Sequence, residues 1–398
     1  MSTETVSAVD LTRESIRQNQ SPPEPRNIKK IQRDQRRRKY KPNLAFPWYR
    51  RLLEQLKNDS QFFRSTVQAA FALLCVWIGI EFYLFMQWGM SAGVEPYFER
   101  PPGVEGFLPI SALMGVLHWI GSGSLNTIHP AGTIILIGFI AVSVIMKKAF
   151  CSWMCPVGTI SESLWMLGQK LFKRNIVVWK WLDYPLRALK YLLLFFFVYS
   201  IASMSVQELE IFINSPYNKV ADIKMYLFFA EISQFALWTI IILMLFSVVI
   251  KNFWCRYLCP YGALLGLTGL LSPLRITRTK ETCIDCELCT KVCPSNIKVH
   301  AIGQVWSDEC TSCLRCVEEC PVKDTLLLRI NKSAPAVSNW VMGSLVVGVF
   351  LAITGLGMLT GHWKNSVQKE EYLYRFQRLD SPLYNHARGA VPEYGPHD

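Results

Sequence analysis

Five apolar runs constrain this chain more than anything else in it. Residues 65–88, 131–147, 188–206, 224–250 and 337–360 each approach or exceed a bilayer span, about twenty residues. With 51% of 398 residues hydrophobic and the apolar residues gathered into these runs, the fold class expected is an α-helical integral membrane protein. The first forty residues contain no signal-type apolar stretch and close on the basic run RDQRRRKYK. The first span is therefore expected to act as an uncleaved anchor, with the basic run held at anionic headgroups. The net charge of +12 lies in tail and loops beside spans, where membrane topology explains it. The lipid bilayer is thus an expected partner and nucleic acid is not.

Residues 107–128 are apolar but interrupted by Gly and Ser. Counted as a full span, they would place Lys147, Lys148, Lys173, Arg174 and Lys180 outside. The positive-inside rule favours a re-entrant or interfacial segment instead, with about five transmembrane helices and a cytoplasmic N-terminus. Two motifs, FCSWMCPVG at 150–158 and WCRYLCPYG at 254–262, both carry C-x3-C-P. Two spans separate them, so they share a face, and the cysteine-rich stretch that follows shares it too.

That stretch contains the strongest signal. CIDCELCTKVCP at 283–294 and CTSCLRCVEECP at 310–321 both read C-x2-C-x2-C-x3-C-P, the run of bacterial two-cluster ferredoxins. In such runs the fourth cysteine serves the other cluster. Cys283, Cys286, Cys289 and Cys320 are then expected to hold one [4Fe–4S] cluster, and Cys310, Cys313, Cys316 and Cys293 the second. Structural zinc would group cysteines in pairs, and disulfides would need the oxidising side. The chain divides into a basic cytoplasmic tail expected to be disordered (1–46), a transmembrane domain with both C-x3-C-P motifs (47–275), an inserted bacterial-type 2×[4Fe–4S] ferredoxin module (276–332), a last transmembrane helix (333–360) and a short extracytoplasmic tail (361–398).

In the C-x3-C-P motifs, Pro156 and Pro260 suit the first position of a helix, with Cys155 and Cys259 at N-caps. A helix N-terminus would lower a thiol pKa, helped by Lys147, Lys148, Lys251 and Arg256. Three readings stay open for Cys151, Cys155, Cys255 and Cys259. They jointly hold a further metal or cluster, they are reactive dithiols suited to electrons or copper(I), or they are small buried residues at a tight junction. Glu81, Glu231, His118 and His129 are ionisable residues in apolar surroundings and are weak candidates for lining a quinone pocket. Lys280, Lys291, Lys298, Arg315 and Lys323 are candidates for docking an acidic redox partner.

With ferredoxin runs, paired C-x3-C-P motifs and this order of spans, the chain resembles the NapH/NosR/CcoG (FixG) group of polytopic membrane ferredoxins over roughly residues 65–360. The resemblance implies residence in the bacterial cytoplasmic (inner) membrane, multi-pass, with the ferredoxin module cytoplasmic. NapH-like members pass electrons from quinol toward periplasmic reductases, and NosR-like members do so with an added flavin domain. CcoG-like members help assemble copper oxidases by reducing copper. No flavin domain is legible before the first span, and residues 361–398 are short for the immunoglobulin-like domain of the CcoG type. The function expected is electron transfer between the quinone/quinol pool and a partner oxidoreductase or respiratory complex, as carrier or quinol dehydrogenase subunit. The alternative is a CcoG-like factor reducing or delivering copper to a respiratory oxidase.

Overall fold

The structure, a computed structural model, describes residues 46–173, 175–331 and 333–384. The expected tail therefore lies almost wholly outside the described residues, as do residues 385–398. After α1 (Trp48–Asn58), the Asp59 carboxylate accepts hydrogen bonds from the N–H groups of Gln61 and Phe62 at 3.0 and 2.9 Å and so opens α2 (Ser60–Met90). A 3-10 turn at Pro102–Phe107 leads into α3 (Pro109–Ser122) and α4 (Pro130–Met146). At its two ends this segment meets the same stretch of chain. Glu99 pairs with Lys364 at 2.7 Å, and the Thr127 carbonyl accepts from the Ser366 N–H at 2.9 Å. The two ends of this segment thus lie against one stretch of chain, residues 364–366.

The first C-x3-C-P motif supplies α5 (Phe150–Trp153) and α6 (Pro156–Phe172), followed by α7 (Lys180–Ala202). Short helices α8 (Val206–Ile213) and α9 (Pro216–Lys219) precede α10 (Ala221–Ala230) and α11 (Gln234–Val249). Here the expected single span over 224–250 is broken. α10 and α11 are bent by 82° about a three-residue link, and Ser233 recaps the chain by accepting the Ala236 N–H at 3.3 Å. The second motif builds α12 (Phe253–Tyr257) and α13 (Pro260–Thr268). Strands β1 (Arg275–Arg278) and β2 (Leu326–Arg329) pair antiparallel and bracket α14 (Leu288–Lys291) and α15 (Arg315–Glu318). α16 (Asn339–Leu359) and α17 (Lys369–Phe376) complete the described chain.

By length and composition α2, α7 and α16 can cross a membrane, and the bent pair α10–α11 makes a fourth if it is one span. α4 is apolar but has only 17 residues. The halves interleave: α6 packs on α11, while α13 packs on α7 and α4. Neither α6 nor α13 covers its apolar side within its own repeat, so each borrows a helix from the other. The core between them continues without a break into the ferredoxin module, where Val142, Met146, Trp153 and Leu265 belong to the same apolar cluster as Ile276, Leu314 and Leu328. The module is thus part of the membrane domain's core, not a tethered bead. A second core at the far end of α2 includes Phe85, Tyr372 and Phe376, so the expected tail begins as a packed cap.

Candidate iron–sulfur and thiol site

The two ferredoxin runs fold alike. Asp285 and Glu287 in the first run and Ser312 and Leu314 in the second all take left-handed φ angles, between 47° and 59°. None is glycine, so the strain recurs at matching places in both cysteine loops, as expected where a bound group dictates the turn. One cavity is lined by Cys283, Cys286, Cys289 and Cys320, and another by Cys293, Cys310, Cys313 and Cys316. These are the crossed sets the spacing implies, and the donor chemistry fits iron–sulfur clusters. Among the described residues, no three His, Cys, Asp or Glu side chains converge tightly enough for a single metal ion. A cubane, whose own iron and sulfide separate its ligands, suits wider sets.

Side chains from the membrane domain hold the loop of the second cavity by its backbone. Ser152 Oγ donates to the Thr311 carbonyl at 2.6 Å, Trp153 Nε1 to Ser312 at 3.2 Å and Gln61 Nε2 to Cys313 at 3.0 Å. Arg256 donates to the Ser295 carbonyl at 2.6 Å, and Lys147 to Ser307 at 3.2 Å. Glu162 accepts from Arg64 at 2.6 and 2.8 Å and from Gln68 at 2.9 Å, and also pairs with Arg315 of the second run. Arg315, one of the candidate docking cations, is thus paired within the chain. Burial alone would raise the Glu162 carboxyl, but Arg64, with Arg315 and Gln68, holds it down at about 2.

Beneath that loop the C-x3-C-P motifs meet. Cys155 Sγ accepts the Gly158 N–H at 3.4 Å and Cys259 Sγ the Gly262 N–H at 3.3 Å, each capping a helix with proline at its start. The glycines permit this turn. A Cβ on Gly158 would lie 2.2 Å from the Cys151 carbonyl oxygen, and one on Gly262 would lie 3.3 Å from that of Cys255. All four thiols interact electrostatically with one another. The expected acidity of Cys155 is overturned. Burial pushes Cys155 up to about 11 against the Gly158 N–H, and raises Cys151 and Cys255 too, because desolvation outweighs one helix end and Lys148. As free thiols Cys151, Cys155 and Cys255 are poor nucleophiles; a metal would have to displace their protons.

A small cavity is lined by Cys151 and Cys255 of the quartet together with Cys313 of the ferredoxin loop. Lys148 lines it, only 3% exposed, and its ammonium makes no hydrogen bond among the described residues. Its opposite charge there is the Glu309 carboxylate, which lines the same cavity, with the thiols of Cys151, Cys259 and Cys255 contributing less. Sequence reading missed two features. One is the clasp around Glu162, whose partners lie 98 and 153 residues away. The other is an apolar cavity of about 490 Å³ beside Cys259.

None of Glu81, Glu231, His118 and His129 lines that cavity. His129 is buried with Arg100, Glu105 and Asp222, its Nε2 2.7 Å from the Asn218 carbonyl. His118 is buried beside Ser122, while Glu231 ends α10 at the bend. The four are not brought together.

Two family profiles match the chain. One, described as a 4Fe-4S binding domain, matches residues 128–175 and again 233–278, the two C-x3-C-P repeats. The other, a 4Fe-4S dicluster domain, matches residues 275–321. YccM of Escherichia coli (strain K12), named as an electron transport protein, is 43% identical over 334 residues, covering 83% of this chain and 93% of its own. The ferredoxin-type protein NapH of Haemophilus influenzae is 27% identical over 219 residues, covering 51% of this chain and 71% of its own. The regulatory protein NosR of Stutzerimonas stutzeri is 29% identical over 210 residues, but these cover only 28% of its length. No solved structure matches.

Proposed function

Given that the chain belongs to the NapH/NosR-type group of membrane ferredoxins, an iron–sulfur electron-transfer family, we propose that it links the quinone/quinol pool of the inner membrane to a partner oxidoreductase. Two [4Fe–4S] clusters would be held by the crossed cysteine sets, and a third iron–sulfur centre by Cys151, Cys155, Cys255 and Cys259. Bound there, these groups supply one-electron carriers. The protein's own residues do the rest. Ser152, Trp153 and Gln61 hold the Cys310–Cys316 loop at a set distance from the quartet, and Lys148 offsets negative charge between them. None of these hydrogen bonds reaches the Cys283–Cys289 loop, which is left to face the partner. In this reading α2, α4, α7, α11 and α16 are five spans, and the ferredoxin module is cytoplasmic.

The observation that carries the proposal is the single cavity shared by Cys151, Cys255 and Cys313. The test is anoxic addition of a short-chain quinol to the purified, iron-loaded protein. Bleaching of the visible cluster absorbance is expected. Clusters that dithionite bleaches and quinol does not would overturn the quinol arm.

A further inference from the structure

The apolar cavity of about 490 Å³ lies between α3, α4, α7 and α13, with Ile110, Leu113, Leu136, Leu193 and Phe197 on its wall and Cys259 at its edge. Its volume suits a bound organic molecule, since ligand pockets run from about 300 to 1,000 Å³. No charged side chain lines it, and among the described residues Tyr261 supplies the one hydroxyl on its wall. That hydroxyl makes no hydrogen bond among the described residues. The Tyr261 ring meets Phe139 edge-on, with centroids 6.0 Å apart. Tyr261 and Cys259, two residues apart, thus share the cavity wall.

The two repeats differ at this point. Tyr261 follows Pro260 in the second motif, and the residue after Pro156 in the first is Val157. Of these two residues only Tyr261 lines the cavity; Val157 is 47% exposed. A purely structural repeat would not need a hydroxyl on one side alone, abutting both an apolar chamber and a redox thiol.

We infer that this cavity seats the ring of a quinol, with Tyr261 as the residue that hydrogen-bonds a ring oxygen, and this rests on the quinol reading above. Its apolar walls suit the ring and the start of an isoprenoid tail, and its edge at Cys259 brings the ring to the thiol quartet. Oxidation of the quinol to quinone breaks two O–H bonds, releasing two protons to water and two electrons, one to each of two [4Fe–4S] clusters. The site differs from any built on Glu81, Glu231, His118 or His129.

The test uses full-length protein in nanodiscs, wild type beside Tyr261→Phe and Leu136→Trp, with iron content and dithionite reduction measured for each. Tyr261→Phe removes only the hydroxyl, and Leu136→Trp fills the chamber. The expected result is an apparent quinol KM raised about tenfold in Tyr261→Phe, the worth of one hydrogen bond. Leu136→Trp should lose at least as much, with iron and dithionite reduction unchanged in both. Wild-type quinol kinetics in both variants would overturn the site while leaving the quinol reading intact. A wild-type protein that dithionite reduces and quinol does not would overturn both.

Discussion

Glu162 is the residue on which the docking of the ferredoxin loop depends most measurably. It sits on α6, accepts both arms of Arg64 at the start of α2, and pairs with Arg315 on α15. Its side chain is 13% exposed and that of Arg64 is 2% exposed, so little solvent screening applies. A carboxyl held at about 2 against an ordinary 4.5 contributes about 3 kcal/mol to the native state at neutral pH. Removing one partner of a buried ion pair costs a similar amount, about 3–5 kcal/mol, because the other charge stays buried. Glu162→Gln keeps the shape and loses the charge, so it should cost about 3 kcal/mol. The readout is hydrogen exchange at the backbone amides of Val317, Glu318 and Glu319, which bond within the α15 turn. Their exchange should accelerate about a hundredfold at neutral pH. The sign with pH follows from the depressed value. In wild type the stabilisation is complete above pH 4.5 and lost as pH falls toward 2, whereas Glu162→Gln should lack this acid dependence. Exchange in the variant within twofold of wild type at neutral pH would refute the argument.

Gly158→Ala should lose iron from the thiol quartet and destabilise the protein by about 2 kcal/mol or more, because the new Cβ would lie 2.2 Å from the Cys151 carbonyl oxygen; Gly262→Ala, with 3.3 Å of room, should be milder, as iron analysis and thermal unfolding would show. Lys148→Met should lower the midpoint potential of the nearest cluster by on the order of 100 mV, since it removes a buried charge next to an anionic centre; redox potentiometry checks this. Cys293→Ser should disturb the cluster of the Cys310 loop and Cys320→Ser that of the Cys283 loop, so their paramagnetic resonance spectra should each lose a different signal.

Much of the site was legible because its chemistry is local. Three cysteines at fixed spacing need no tertiary information, nor does a cysteine followed by proline at a helix start, and both arrangements appear in the structure. The break at 231–233 carried a weak signal in Ser233, an N-cap residue inside an apolar run. The Glu162 clasp joins residues far apart in sequence and had no local mark. The chamber at Tyr261 arises where α3 and α7 meet the second repeat, so no single window of sequence contains it. Thiol acidity was misjudged because burial, the larger influence, is set by the interleaving of the two halves.

The central claim is that the wire begins within the membrane domain, at the thiol quartet. Iron and acid-labile sulfide per chain, measured after anoxic purification, test it most directly, in wild type and in a variant with Cys151, Cys155, Cys255 and Cys259 replaced by Ser. Three cubane centres predict about twelve irons in wild type and about eight in the variant. About eight in both would contradict the account, leaving the ferredoxin module as the whole of the wire.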